Sequence, residues 1–310
     1  MSRKDQGATK IRFDFMARRL PAMILSFLLI AASISALVTQ NLNFGIDFTG
    51  GTLVELGYQQ PPDLEAIRQA LADSQFGSAV VQNFGSPTDV LVRLASTGEL
   101  EEADVSSRVL QVLPGAEMRR VEFVGPQVGK ELTEDGVLAM LYALVGIFLY
   151  VMVRFTWRFS LGAIAALVHD VLIVLGFFAL MQTEFDLPVL AAILAVIGYS
   201  LNDTVVVFDR IRENFRVVRK GRSVDIINRS LNQTFSRTVM TSLTTLIVLL
   251  ALFFLGGELI HAFSTALIVG VVIGTYSSIY VASTAALALG VSSTDLIPVK
   301  REEGEADLQS

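Results

Sequence analysis

Long apolar runs separated by shorter polar connections dominate the chain. A helix needs about 20 predominantly apolar residues to cross a hydrocarbon core of about 30 Å. Runs of roughly that length, each with at most one charged residue, occur at 20–38, 137–153, 159–181, 187–208, 239–256 and 262–290. The pattern therefore predicts an α-helical polytopic membrane protein with six transmembrane helices.

The first run follows a basic stretch, as the apolar core of a secretory signal peptide does. Its apolar segment is longer than that core usually is, and no clean A-x-A cleavage site follows it. We therefore expect an uncleaved membrane anchor at 20–38, with a cleaved signal peptide as the alternative.

Basic residues occupy alternate connections between the runs. Segments 1–19, 154–158 and 209–238 contain six, two and eight Lys or Arg, whereas 182–186 and 257–261 contain none. The positive-inside rule places basic connections in the cytoplasm. We expect a bacterial inner-membrane protein with both termini, including the tail at 291–310, in the cytoplasm.

The long interval 39–136 falls on the opposite, periplasmic side. It holds six basic and 15 acidic residues, a formal net charge of −9, and it is long enough for a small domain. Turn residues and alternating patterns predict a strand at 51–58, a helix at 63–73 and a hairpin formed by strands 79–84 and 90–94. They then predict a helix at 99–112 and a last strand at 117–124. This order indicates a small α+β, ferredoxin-like domain. A passive soluble spacer is the alternative, and Gly50-Gly51 is either a turn at strand entry or a hinge.

Composition narrows the function. The chain is 52% hydrophobic and 17% charged, with a mean hydropathy of +0.57, which is too apolar for a soluble protein of 310 residues. It has no cysteine, two distant histidines and no phosphate-binding loop of the G-x-x-x-x-G-K-[ST] type. We expect no metal, no cofactor, no nucleic-acid partner and no catalysed reaction.

Charged residues at membrane depth are costly, so each one is a candidate functional residue. Asp203 lies in the fourth run, with Asn202 beside it and Tyr199 one turn away. Arg237 opens the fifth run from the cytoplasmic side, so the two charges are expected to meet at a similar depth. They form either a proton relay or an ion pair that only holds two helices together.

Asp170 and His169 lie in the middle of the third run and are expected to extend the same polar group. The sixth run has a small residue at every fourth position, including Gly270, Gly274 and Ser278. Small residues allow close approach of another backbone, either in this chain or in another subunit. Within the amphipathic cytoplasmic connection 209–238, the segment 209–214 and the basic run 216–222 are predicted to form a helix on the lipid surface.

Several longer motifs carry a family resemblance. They are FGIDFTGG at 44–51, VGPQVG at 124–129, HD at 169–170, GYSLNDT at 198–204 with DRIREN at 209–214, SLNQT and SRT at 230–238, and GTYSSIYVAS at 274–283. On these motifs the chain resembles the SecF family of protein-export membrane proteins, within the resistance-nodulation-division superfamily. The resemblance covers nearly the whole chain.

The resemblance implies a half bundle that pairs with the six spans of SecD and works beside the SecYEG channel, with SecA and YajC as further candidate partners. It implies that the proton motive force helps unfolded secreted polypeptides across the membrane, with protons as the coupling ion. Asp203 and Arg237 match the family's residues for proton movement. A small-molecule or ion exporter and a purely structural subunit are the competing hypotheses.

Overall fold

The computed structural model describes residues 13–74, 76–77, 79–95, 102–218 and 221–292. Four predicted segments therefore lie wholly or partly outside the described residues. They are the first part of the N-terminal segment, the beginning of the helix predicted at 99–112, two basic residues of the 209–238 connection and the C-terminal tail.

Helices form most of the structure, and the prediction of six candidate spans is confirmed. In chain order the elements are α1 (Arg19–Thr39), β1 (Asn43–Phe44), α2 (Ile46–Thr49), β2 (Gly51–Gly57), α3 (Leu64–Ala72), β3 (Val80–Phe84), β4 (Ser86–Leu94), α4 (Glu102–Val112), β5 (Glu117–Val124), α5 (Pro126–Arg154), α6 (Trp157–Met181), β6 (Glu184–Phe185), α7 (Leu187–Val217), α8 (Ser223–Leu255), α9 (His261–Ser277) and α10 (Ser283–Ala288). A π-helical segment, Ser278–Ala282, joins α9 to α10, so the sixth span is not a uniform α-helix.

Residues 51–124 form an α+β domain around a four-stranded antiparallel sheet with strand order β3-β4-β2-β5. Alternate residues of the central strands, among them Val54, Leu56, Val90 and Val92, are fully buried beneath α3 and α4. The order of strands and helices is the one that the sequence pattern predicts. The ferredoxin-like classification stays a prediction.

The hairpin of this domain is tighter than predicted. We expected a turn over 85–89, but β4 already begins at Ser86, and the reversal rests on Gly85 with φ of +71°. A positive φ is readily adopted by glycine, so one residue replaces the predicted five-residue turn.

The predicted separate helix over 209–222 is wrong in its bounds. Instead α7 continues from the fourth span to Val217, and α8 begins at Ser223 and runs directly into the fifth span. No glycine or proline interrupts either helix in this region. Apolar side chains such as Ile211, Phe215 and Ile227 are buried where the extensions pack together, and this packing stabilises both long helices.

The glycine pair shapes the entry to the domain. Gly50 has φ of +69°, and a Cβ at this position would lie 2.8 Å from Cα of Pro126. A Cβ at Gly51 would lie 2.4 Å from the carbonyl oxygen of Leu94. The pair thus forms a close-packed turn between α2 and β2, and its predicted alternative role as a hinge stays untested.

Within the helical bundle, α6 and α7 are the most buried spans, each half buried over its most apolar window. Helix α1 packs on α6, and α9 packs on both α6 and α7. Helices α5 and α8 expose long apolar sides, and between them α7 exposes Ala191, Ala195, Gly198 and Asn202. The strand pair β1–β6 lies at the end of the bundle that carries the α+β domain, which we name the domain end. The opposite end, where Arg154, Asp209 and Arg237 lie, is named the basic end.

Candidate functional site

Asp203 is buried in α7 and is only 3% exposed. Its Oδ2 atom has no hydrogen-bond partner in the described part of the chain, and the same is true of the buried hydroxyls of Thr204 and Thr238. A buried carboxylate oxygen without a donor is costly in a structural element. Asp203 is therefore a buried carboxylate whose hydrogen-bonding capacity is not fully used within the described residues.

Arg237 lies on α8 and is exposed. It acts electrostatically on Asp203, but the described residues contain no ion pair between the two side chains. The guanidinium instead lines a cavity of about 350 Å³ at the basic end, between α5, α7 and α8. The other lining residues are Tyr150, Arg154, Val205, Val206, Asp209, Arg210, Glu213, Gln233 and Thr234.

Asn202 and Tyr199, the two residues predicted to lie beside Asp203 on the same helix, have different surroundings. Asn202 lies on the exposed face of α7. Tyr199 donates through its hydroxyl to Ser242 Oγ at 3.2 Å, and Ser242 Oγ lies 2.6 Å from Thr275 Oγ1. Tyr199 therefore ties α7 to α8 and α9, one turn to the domain end of Asp203.

Asp170 forms a separate, fully bonded group. It is 1% exposed, and its Oδ2 accepts hydrogen bonds from Ser200 Oγ at 2.5 Å and from Ser277 Oγ at 2.7 Å. Its Oδ1 lies 2.9 Å from Nδ1 of His169. These partners belong to α6, α7 and α9, so Asp170 joins three spans through one carboxylate.

His169 extends this group to the first span. Its Nε2 lies 3.2 Å from Ser26 Oγ, which in turn lies 3.0 Å from the hydroxyl of Tyr276. Tyr276 also donates to the carbonyl oxygen of Ala22 at 2.5 Å. Among the residues named here, only Ser200 links this network to the neighbourhood of Asp203, one helical turn away along α7.

The small residues of the sixth span pack against α7 of the same chain. A Cβ at Gly270 would lie 2.1 Å from Cγ2 of Val196, and a Cβ at Gly274 would lie 3.1 Å from Cβ of Ser200. Ser278 is buried in the π-helical segment and donates to the carbonyl oxygen of Thr275 at 3.0 Å. These glycines allow the approach that brings Ser277 to Asp170.

A second polar group, which the sequence analysis did not identify, lies at the domain end of α7. Asp47 Oδ2 accepts a hydrogen bond from the backbone N–H of Leu187 at 3.0 Å, and Asp186 Oδ1 accepts one from Val189 at 2.9 Å. Arg93 of β4 pairs with Glu184 of β6, with 3.1 Å between Nη2 and Oε2. The two carboxylates of Asp47 and Asp186 therefore cap the helix that carries Asp203.

Burial changes the acidity of this group. It raises the pKa of Glu184, although Arg93 opposes the change, and it raises the pKa of Asp186 from 3.8 to about 6. An Asp before Leu187-Pro188 is a recognisable helix start in the sequence. Asp47 belongs to the FGIDFTGG motif, but no local signal predicts its contact with Leu187 or the pair of Arg93 with Glu184. These partners are 140 and 91 residues away in the chain.

A six-helix bundle with buried carboxylates in its third and fourth spans, and a small α+β domain after its first, defines a multi-pass membrane transport subunit. The profile of the family described as "Protein export membrane protein SecD/SecF, C-terminal" matches residues 105–292, and that described as "SecD/SecF GG Motif" matches residues 35–62. The chain belongs to the SecF family, as a subunit of the protein translocase.

Curated relatives agree with this assignment over almost their whole length. The chain is 52% identical to "Protein translocase subunit SecF" of Vibrio alginolyticus, over 94% of this chain and 95% of the relative. It is 49% identical to the subunit of the same name from Pseudomonas aeruginosa, with the same two coverages.

The crystal structure of SecDF, a translocon-associated membrane protein from Thermus thermophilus, matches with a TM-score of 0.83 and 40% identity. The match covers 90% of this chain but 38% of that one. The present chain is thus similar to one part of a longer chain.

Proposed function

We propose that this chain works with SecD to couple the proton motive force to the translocation and release of secreted proteins across the bacterial inner membrane. In this proposal it is an accessory subunit without an enzymatic reaction of its own, and protons are the coupling ion. The α+β domain lies in the periplasm, both termini lie in the cytoplasm, and the partners are SecYEG, SecA, YajC and the unfolded secreted chain.

The observation that carries the proposal is the state of Asp203. Its buried carboxylate has an oxygen without a donor, and it lies one turn from Val206 in the wall of the cavity at the basic end. Arg237 reaches the same cavity without pairing with Asp203. A cation beside a desolvated carboxylate would favour loss of the proton if it moved closer and uptake of the proton if it moved away.

The energy available to such a relay is adequate for a conformational step. One charge that crosses a potential of 100 mV releases about 2.3 kcal/mol. A change of that size moves a two-state equilibrium by a factor of nearly 50. The proton would therefore shift the balance between two arrangements of the chain.

A partner is needed to complete the site. The face of α7 formed by Ala191, Ala195, Gly198 and Asn202 is exposed at membrane depth, and a Cβ at Gly198 would meet no atom within 4 Å. We propose that the six spans of SecD cover this face in a pseudo-symmetric bundle of twelve helices. The partial coverage of the SecDF chain by this one is consistent with that arrangement.

The two SecDF structures match this chain to different degrees, which is consistent with more than one arrangement of such a chain. The second SecDF structure, described as a super-membrane-facing form, has the same sequence identity of 40% and also covers 90% of this chain. Its TM-score is 0.67, whereas that of the first is 0.83. The two SecDF structures therefore differ from each other in the arrangement of their parts.

A structural role is favoured for one part of the site. Asp170 has all the hydrogen bonds that its surroundings offer, and these bonds join α6, α7 and α9. We assign Asp170 and His169 to the stabilisation of the bundle around the relay, and Asp203 to proton exchange.

The test compares Asp203→Asn with Asp225→Asn, the same chemical change at an exposed site on α8 that pairs with Arg222. Export of a secreted reporter is measured with and without a protonophore, and co-purification of SecD is measured in parallel. We expect Asp203→Asn to remove the protonophore-sensitive export while the complex stays intact, and Asp225→Asn to retain it. Full protonophore-sensitive export in the Asp203→Asn strain would contradict the relay.

A further inference from the structure

Strand β4 connects the α+β domain to the membrane bundle through one side chain. Arg93 is 12% exposed, and its Nη1 donates to Asn43 Oδ1 at 3.2 Å and to the carbonyl oxygen of Phe44 at 2.7 Å. Its Nη2 lies 3.1 Å from Oε2 of Glu184. One guanidinium thus holds both strands of the pair β1–β6.

This strand pair leads directly to the helix that carries Asp203. Asn43 pairs with Glu184 and Phe44 with Phe185, and the N–H of Gly45 donates to the carbonyl oxygen of Phe185 at 2.8 Å. Helix α7 begins two residues later, at Leu187. A displacement of β6 therefore reaches the first turn of α7 without an intervening flexible segment.

Asp47 provides a second attachment at the same position. It follows β1 in α2, and its Oδ2 accepts the N–H of Leu187. The segment that Arg93 holds at Asn43 and Phe44 thus also holds α7 by its first residue. Two routes, one through β6 and one through α2, connect Arg93 to α7.

Arg93 is the cation that pairs with Glu184 in a mainly acidic surrounding, in which Arg120 pairs with Glu122. Glu184 is subject to the charges of Asp47 and of Glu122 from β5, and Asp186 lies two residues further along. Loss of the guanidinium would leave Glu184 without its paired cation, while Glu122 keeps its own pair with Arg120 and Asp47 keeps its bond from Leu187. Repulsion and hydration of the freed carboxylate would then open the contact between the domain and the bundle.

We propose that Arg93 is a positioning residue, which joins the α+β domain to the first turn of α7 so that movement of the domain and movement of the Asp203 helix are coupled. The proposal rests on the proton-coupled function of Asp203. It concerns a link at the domain end, far from the cavity that Arg237 lines.

A second contact between the α+β domain and the bundle, at the β3–β4 hairpin, supplies a readout. A Cβ at Gly85, at the tip of the β3–β4 hairpin, would lie 3.7 Å from Cβ of Glu258, in the connection between α8 and α9. A Cβ–Cβ distance of about 3.8 Å suits a disulfide. The chain has no cysteine, so no other thiol competes. Because Gly85 has φ of +71°, Gly85→Cys is strained to the same extent in every background, and the rates are compared only within the Gly85→Cys, Glu258→Cys series.

The experiment measures the rate of this cross-link under a mild oxidant, in membranes that contain the complex with SecD. Four backgrounds are compared: the unchanged chain, Arg93→Gln, the swap that combines Arg93→Glu with Glu184→Arg, and the control Arg119→Gln. Each background is prepared twice, once with the native Asp203 and once with Asp203→Asn. Arg119 pairs with Asp89 of β4 at 2.7 Å, so this control removes an ion pair of the same strand that stays inside the domain.

We expect Arg93→Gln to slow the cross-link by about tenfold, because hydrogen bonds of a charged group contribute about that factor to an equilibrium. The swap should restore only part of the rate, because it keeps the ion pair but loses the bonds that Arg93 donates to Asn43 and Phe44. Arg119→Gln should leave the rate unchanged. Asp203→Asn should change the rate in the Arg93 and swap backgrounds but not in Arg93→Gln.

Three results would overturn the proposal: an unchanged rate in assembled Arg93→Gln, an equal effect of Asp203→Asn with and without Arg93, or no effect of Asp203→Asn at all. If the Arg93→Gln chain does not assemble with SecD, the swap variant becomes the test. The proposal is then supported only if the swap variant assembles with SecD and forms the cross-link. The cross-link does not depend on export, so a failure of the proton-relay assignment in the export assay is a separate result.

Discussion

Replacement of Gly270 by alanine should force the sixth span away from the fourth. The added Cβ would lie 2.1 Å and 2.6 Å from the two methyl carbons of Val196 and 3.0 Å from its Cβ. Carbon atoms in contact are normally about 3.5–4.0 Å apart. Because the Cβ of Val196 is itself too close and valine has little rotamer freedom, the helices must separate by roughly 1 Å.

The free-energy change has two opposing parts. Overpacking of this kind costs about 1–3 kcal/mol. Alanine is better than glycine in a helix by about 1 kcal/mol, which offsets part of that cost. We therefore expect Gly270→Ala to lower the free energy of unfolding by up to about 2 kcal/mol.

Gly146→Ala is the matched control, because a Cβ at Gly146 in α5 would meet no atom within 4 Å. Thermal unfolding midpoints of the two purified variants should differ by several degrees, at roughly 2–4 °C per kcal/mol. Export should fall only in Gly270→Ala, since the same seam brings Ser277 to Asp170. Equal midpoints together with equal export would refute the packing argument.

Two further predictions concern the acids. Asp170→Asn should lower thermal stability by about 1–3 kcal/mol, since an amide cannot accept from Ser200, Ser277 and His169 as the carboxylate does. Asp203→Asn should not lower it, because no hydrogen bond to Oδ2 is lost; a larger loss in Asp203→Asn would contradict the division of roles. Burial raises the pKa of Asp186 from 3.8 to about 6, so the folded chain binds this proton more tightly and its stability should fall as the pH rises through about 6. Asp186→Asn retains the helix cap and should flatten that part of the pH dependence in unfolding experiments, whereas an unchanged profile would contradict the assignment.

Several features of the fold could be predicted because they depend on local sequence. The length of an apolar run fixes whether a helix can span a membrane, and turn residues separate the elements of the domain. The burial of Asp203 followed from its place within such a run. The extension of α7 to Val217 was missed because the polar segment looked amphipathic, whereas its apolar residues pack against α8.

The sequence by itself determined six spans, the uneven distribution of charge and the order of elements between the first two spans. Each of these depends on residues that are close together in the chain. Only the tertiary structure decided that Asp170 binds Ser200 and Ser277, that Asp203 and Arg237 do not pair directly, and that Arg93 reaches Glu184. Helical periodicity defines the face on which a side chain lies, but the partner on that face depends on how distant helices and strands pack.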